Sequence, residues 1–217
     1  IGLALYPLDS MFIFPLMILG GIIGGILWAM IPAILKIRFN TNEILVSLML
    51  VYVAEQILAL ASVGFLRNPE GLGFPGSRDL SKYPSAANPE LIANSGIHMG
   101  VIFSIIAVIV LTYFLIYHRL GFQIKLLGQA PKASKFSGVN SNYIIIFCLG
   151  LSGGLAGVAG MFELTGPAGL INIDFNVGYG FTAIIVAFLG RLHPIGILFA
   201  GLLMSLTYVG GELAQFM

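Results

Sequence analysis

Long apolar runs separated by short polar stretches dominate this chain. They cover about Met11–Leu35, Ile44–Phe65, Ile97–Tyr117, Tyr143–Phe162 and Ile195–Gly210, with a shorter one at about Gly178–Gly190. Most approach or exceed the ~20 residues an α-helix needs to cross about 30 Å of hydrocarbon. None shows the ~10-residue alternating segments of a membrane β-barrel. The pattern predicts an all-α, polytopic transmembrane helical bundle with about six membrane segments. The Gly178–Gly190 run, roughly a dozen residues long, is short for a crossing. It reads as half of a broken helix whose polar ends face a cavity.

Composition narrows the class further. The mean hydropathy is +1.00; 58% of residues are hydrophobic and 9% charged, against about a quarter charged in soluble domains. A single cysteine, Cys148, excludes an intrachain disulfide and reads as a small buried apolar residue. Gly20-Gly21 and Gly24-Gly25 form overlapping small-x-x-x-small pairs, and Gly150–Gly160 is also rich in small residues. Both predict close helix packing. Asn40–Glu43 supplies a helix N-cap with an acid in the first turn.

The charges are distributed unevenly. His118–Ser141 holds Arg119, Lys125, Lys132 and Lys135 and no acid. If every run crosses once, Lys36, Arg38, these four and Arg191 share one side, and only Arg67, Arg78 and Lys82 lie on the other. Because Lys and Arg favour the cytoplasmic side, 118–141 is predicted cytoplasmic, and the polar 66–97 segment an ordered extracytoplasmic loop with a short helix of its own. Inside 118–141, Ala130–Gly138 reads as a self-contained short helix. Pro131 suits its first position, and Gly138 suits the residue past its end, where φ is often positive.

Candidate chemistry is sparse. Glu55 lies within a span, where an ionisable group is costly and faces a cavity or a partner. Glu163, Asn172, Asn176 and Tyr179 flank the broken helix and are candidates for a solute path. His98 reads as an interfacial side chain. There is no H-E-x-x-H, no paired Cys/His metal spacing and no phosphate-cradling G-x-x-x-x-G-K-[ST]. Gly150–Gly153 (G-L-S-G) with His193-Pro-Ile-Gly196 matches the short signatures of rhomboid intramembrane serine proteases. Ser152, however, is expected about 15 Å deep in a span and His193 in a surface loop, too far apart for a dyad.

The pattern Gly121, Gly128, Pro131, Ala133, Gly138, Val139 resembles the membrane subunits of bacterial ABC importers, in particular the permeases for branched-chain amino acids, ribose-type sugars and purine nucleosides. Asn42-Glu43-Ile44 with Leu48-Met49-Leu50, and Gly178–Phe181 running to Leu189–Gly196, agree with the nucleoside and simple-sugar branch. The resemblance implies one transmembrane permease domain over 1–217, here a fragment lacking the family's first spans and a last one. It implies a bacterial cytoplasmic membrane and alternating access driven by ATP. It also implies no enzymatic activity or cofactor of the chain's own, because ATP binds to a partner subunit. The implied partners are ATP-binding cassette subunits, a second permease subunit and an extracytoplasmic solute-binding protein. The short helix would be the coupling helix, with Gly128, Pro131, Lys132, Ala133, Lys135, Phe136 and Gly138 at the ATPase contact. A secondary transporter or channel with Glu55 as the coupling group is the alternative, and an intramembrane protease using Ser152 and His193 a more distant one.

Overall fold

The computed structural model describes residues 12–69, 76–83, 87–88, 90–91, 96–173 and 175–215. Met11, Asp9, Glu70 and Asp174 lie outside the described residues. Among those described are eight α-helices: α1 (Ile13–Phe39), α2 (Glu43–Val63), α3 (Met99–Tyr117), α4 (Arg119–Gln129), α5 (Pro131–Phe136), α6 (Ser141–Thr165), α7 (Tyr179–Leu189) and α8 (Pro194–Gln215). Five of them, α1, α2, α3, α6 and α8, are long and apolar enough to cross a membrane, and α7 is a shorter apolar helix. The predicted polytopic helical bundle with one short segment is therefore observed. Contacts gather into two compact units, residues 1–100 with 135–175 and residues 101–134 with 176–217.

The first unit is built on α1 against α6. Both helices are apolar around their whole circumference, so no amphipathic stripe selects their facing surfaces. Small residues do. Gly21 and Gly25 face Gly157 and Gly153, and Gly150 sits against Met30, so the two helices run antiparallel. A Cβ on Gly21 would lie 2.9 Å from the Gly157 carbonyl oxygen, and one on Gly25 would fall on that of Gly153. The predicted tight packing by Gly21-x-x-x-Gly25 is realised on that face, while Gly24 points into open space.

α1 runs to Phe39, one turn beyond the predicted end at Leu35. Lys36 and Arg38 are thus the last-turn cations of the helix rather than residues of the turn. That placement suits the negative end of the helix dipole. Asn40 reverses the chain at φ +50°, a conformation asparagine tolerates better than most residues. The Asn42 side chain accepts from the Ile44 and Leu45 amides at 2.9 and 3.5 Å, which is the expected N-cap. A Lys36–Glu43 ion pair at 2.7 Å closes the corner.

At the opposite end of this unit the two polar segments that follow α2 and α6 are joined. Ser77 and Leu80 amides donate to the Ile171 and Gly169 carbonyls at 2.8 Å each, and the Asn88 amide donates to Thr165 at 2.9 Å. The Ile171 amide donates back to Ser77 Oγ at 2.9 Å. Leu80 is the apolar plug, packed with Ile13, Met17 and Met161. The expected short helix within 66–97 is the 3₁₀ turn Leu80–Lys82.

In the second unit, α7 and α8 form an antiparallel hairpin. Gly190 lies against Gly196 and Ile197, and Gly201 against Val186. Arg191 and Leu192 in the turn take positive φ of 55° and 56°. Eleven residues make α7 about 16 Å long, half a bilayer. A single crossing by this segment, assumed in the charge count, does not fit that length.

The glycine faces give a contrast to measure. Gly25→Ala drives a methyl into the Gly153 backbone, pushing the two helices apart, and should cost about 1–3 kcal/mol. Gly24→Ala, with nothing within 4 Å, should leave stability unchanged or raise it by up to about 1 kcal/mol through helix propensity. Thermal unfolding of the two purified variants in detergent checks this; equal melting temperatures would contradict the α1–α6 contact.

Candidate functional site

The expected short helix is present as α5, and its ends are those read from the sequence. It begins at Pro131, whose missing N–H would have had no partner in a first turn. Past its last turn Gly138 takes φ +73°, and the Gly138 amide donates to the Lys135 carbonyl at 3.2 Å. Inside, Ser134 is fully buried. Its amide donates to Ala130 at 3.0 Å and its hydroxyl to the Pro131 carbonyl at 2.8 Å. Pro131, Lys132, Ala133, Lys135, Phe136 and Gly138 are all exposed, as is Gly128 just before the helix. Phe136 is 94% exposed.

One helix here was not foreseen. Residues 119–129, read as loop, form α4, which leaves α3 through a one-residue corner at His118. The His118 ring stacks on Phe114 with centroids 5.0 Å apart, and its Nδ1 accepts from the Leu120 amide at 3.2 Å, capping α4. Gly121 permits the corner, because a Cβ there would lie 2.5 Å from the Phe114 carbonyl oxygen and 2.7 Å from Leu115 Cα. The signal was available: Leu120, Ile124 and Leu127 recur at i, i+4 and i+7, the helical period. The basic, acid-free composition masked it.

The candidate path residues are dispersed. Glu55 is half-buried in the middle of α2, and Glu163 half-buried near the end of α6. Asn172 bridges to Gly76 in the joined segments of the first unit. Asn176 and Tyr179 belong to the second unit. There, the Asn176 side chain accepts from the Gly178 amide at 3.2 Å, and Tyr179 is the exposed first residue of α7. His98 lies against Gly166 in the first unit. Ser152 is in the middle of α6 and His193 in the α7–α8 turn, in separate units. Among the described residues no group of three or more His, Cys, Asp or Glu is placed to hold a metal ion.

The first unit does contain a cavity, of about 930 Å³, where α1 and α6 meet the residues that follow α2. Met17, Gly20, Met161 and Leu164 wall it on one side, Phe65 and Arg67 on another, and Arg78 also faces it. None of the five candidate path residues lines it. Sequence reasoning missed Arg67 and Arg78, because two cations eleven positions apart in a polar loop carry no periodic signal.

The family described as branched-chain amino acid transport system / permease component matches residues 1–217. The chain is similar to a glucose ABC transporter permease of Haloferax volcanii (31% identical, covering 94% of this chain and 56% of that protein). It is also similar to a nucleoside ABC transporter permease of Lactococcus lactis (28%; 96% and 59%) and to a guanosine ABC transporter permease of Bacillus subtilis (26%; 90% and 56%). The chain thus spans a little over half the length of these relatives. No solved structure matches it significantly.

The α3–α4 corner can be tested without any transport assay. Gly121→Ala should loosen α4 and speed amide exchange across 119–129 at least about fivefold, the equivalent of roughly 1 kcal/mol. Gly128→Ala meets nothing within 4 Å and gains about 1 kcal/mol of helix propensity, so exchange there should be unchanged or slower. Hydrogen-exchange mass spectrometry reads both.

Proposed function

Because the chain belongs to the branched-chain amino acid transport system / permease component family, we propose that it is part of the membrane subunit of an ATP-driven importer. Its solute would be a nucleoside or a simple sugar, a class supported by the solutes of the similar permeases. The observation that carries the reading is α5, a capped helix with a single buried residue and an almost fully exposed phenylalanine. A phenyl ring held out in water is a latent contact, and burying it in a partner's groove returns about 2–3 kcal/mol.

In this reading α5 seats in a groove of an ATP-binding cassette subunit. Phe136 is the apolar anchor with Ala133 beside it, and Lys132 and Lys135 give charge complementarity and orientation. Pro131 and Gly138 fix the helix ends, and Gly128 the approach. ATP is bound and hydrolysed by that partner, so the permease needs no cofactor of its own. Closure of the two ATPase subunits favours one of two arrangements of the spans, which is alternating access. A second permease subunit completes the pore, and a solute-binding protein meets the joined 66–97 and 163–178 segments from outside. Glu55, Glu163, Asn172, Asn176 and Tyr179 are the proposed path residues.

The orientation follows from charge. Leaving out Arg191, whose turn adjoins the short α7, six of the cations (Lys36, Arg38, Arg119, Lys125, Lys132, Lys135) fall on the α5 side and three on the other. In this reading α5 protrudes from the cytoplasmic face of a bacterial cytoplasmic membrane.

The test uses the full-length permease assembled with its ATPase subunits. Phe136→Asp should weaken that assembly roughly 30-fold, the equivalent of a 2 kcal/mol hot spot, and abolish solute-stimulated ATP hydrolysis while leaving membrane insertion intact. Replacing Pro131–Ser137 with a Gly/Ser loop should do the same. Coupled hydrolysis that survives the loop replacement would sink the proposal.

A further inference from the structure

The importer reading gives α5 a role but leaves α4, the helix that carries it, without one. Residues of α4 divide by exposure. Leu120, Ile124 and Leu127 are half-buried, whereas Arg119, Phe122 and Lys125 are exposed. The last three recur at i, i+3 and i+6, so they form one stripe within an arc of about 120°. Phe122, 66% exposed, stands between the two cations. Among the described residues neither cation takes part in an ion pair, and the sequence from His118 to Ser141 offers no acid.

The depth of this stripe follows from α3. Its 19 residues span about 28 Å, close to the ~30 Å of hydrocarbon, so its end at Tyr117 lies at the headgroup boundary. Tyr113 and Tyr117, both exposed and with ring centroids 5.0 Å apart, are the aromatic residues expected at that level. In one continuous helix residues 114 and 121 would stand about 10 Å apart along the axis. Here a Cβ on Gly121 would lie 2.5 Å from the Phe114 carbonyl oxygen and 2.7 Å from Leu115 Cα. α4 therefore turns sharply against the last turn of α3 and does not run straight on into water. Its first turn stays at headgroup depth, where a protein partner would have to displace lipid and where lipid phosphates are already present.

We propose that the Arg119–Phe122–Lys125 stripe docks on the anionic phospholipid headgroups of the leaflet in which α3 ends. Arg119 and Lys125 meet phosphates, the arginine through its planar fork and the lysine by extending its stem. Phe122 lies between them at the boundary of headgroups and acyl chains, as the apolar residues of interfacial helices do. Anionic lipid thus pins α4 in the membrane plane. α5 begins two residues after α4 ends, so the same lipids steady the base of the proposed coupling helix. Only the inward sidedness of 118–141 is shared with the importer reading; the lipid contact itself needs no ATPase subunit.

The experiment places the full-length permease, with and without its ATPase subunits, in nanodiscs of phosphatidylcholine alone or mixed with phosphatidylglycerol. Hydrogen-exchange mass spectrometry reads residues 119–129. Phosphatidylglycerol should slow exchange there at least about fivefold whether or not the ATPase is bound. In 1 M KCl, where charges are screened beyond about 3 Å, that protection should vanish in the wild-type protein. Arg119→Gln with Lys125→Gln should remove it, and Arg119→Lys with Lys125→Arg should keep it. Phe122→Trp, in a Trp28→Phe background, should be quenched by lipids brominated on their acyl chains. Equal exchange in the two lipid mixtures, protection that persists in 1 M KCl, or an unquenched Trp at position 122 would overturn the proposal. Protection that appears only with the ATPase subunits, in either lipid, would assign the stripe to the ATPase and overturn it too. Loss of coupled hydrolysis in the α5 variants bears on the importer reading alone, because the lipid effect is read without ATP.

Discussion

Backbone-to-backbone contact between α1 and α6 is the constraint on which the first unit rests. In hydrocarbon, two apolar helices gain nothing by hiding apolar surface from each other, since lipid tails are equally apolar. What remains is dispersion at close range, which requires that nothing stand between the two backbones. Gly21, Gly25, Gly153 and Gly157 meet that condition together. Once the two helices are so close, Ile13, Met17 and Met161 converge at one end and need a lid, which Leu80 provides. The hydrogen bonds between residues 77–88 and 165–171 then hold that lid in place. The cavity is what remains where α2 diverges from this pair.

Membrane segments are the part of the fold most readily read from sequence, because lipid demands long apolar runs and satisfied backbone groups wherever a chain crosses. The short helix α5 was readable for a different reason: Pro131 and Gly138 each carry a backbone constraint that few other residues share. α4 was not read, because its apolar positions are diluted by Gln and Lys and its cap is a histidine, outside the usual Ser, Thr, Asp and Asn. α1 runs a turn past the end of its apolar run because Lys36 and Arg38 sit where a helix dipole favours cations, so charge there does not mark a loop. Arg67 and Arg78 come to one cavity only through tertiary structure, which local pattern cannot supply.

α5 also has a particular place in the chain. The division between the two compact units falls between Ser134 and Lys135, inside its six residues. Ser134 ties its first turn inward through the Ala130 and Pro131 carbonyls, and Asn140 caps α6 immediately after it, accepting from the Asn142 and Tyr143 amides. Under the proposed function, a displacement of this helix therefore reaches both units directly through the polypeptide, without an intervening flexible linker.

The glycine pairing has a consequence for biogenesis. Gly25 and Gly153 are separated by roughly 130 residues, which a ribosome adds in about 6–25 s at the usual 5–20 residues per second. For that interval α1 is already made and its partner helix does not yet exist. A notch of bare peptide groups must wait among lipids or against a temporary neighbour, so this helix is the natural client for whatever chaperones nascent spans in the bilayer.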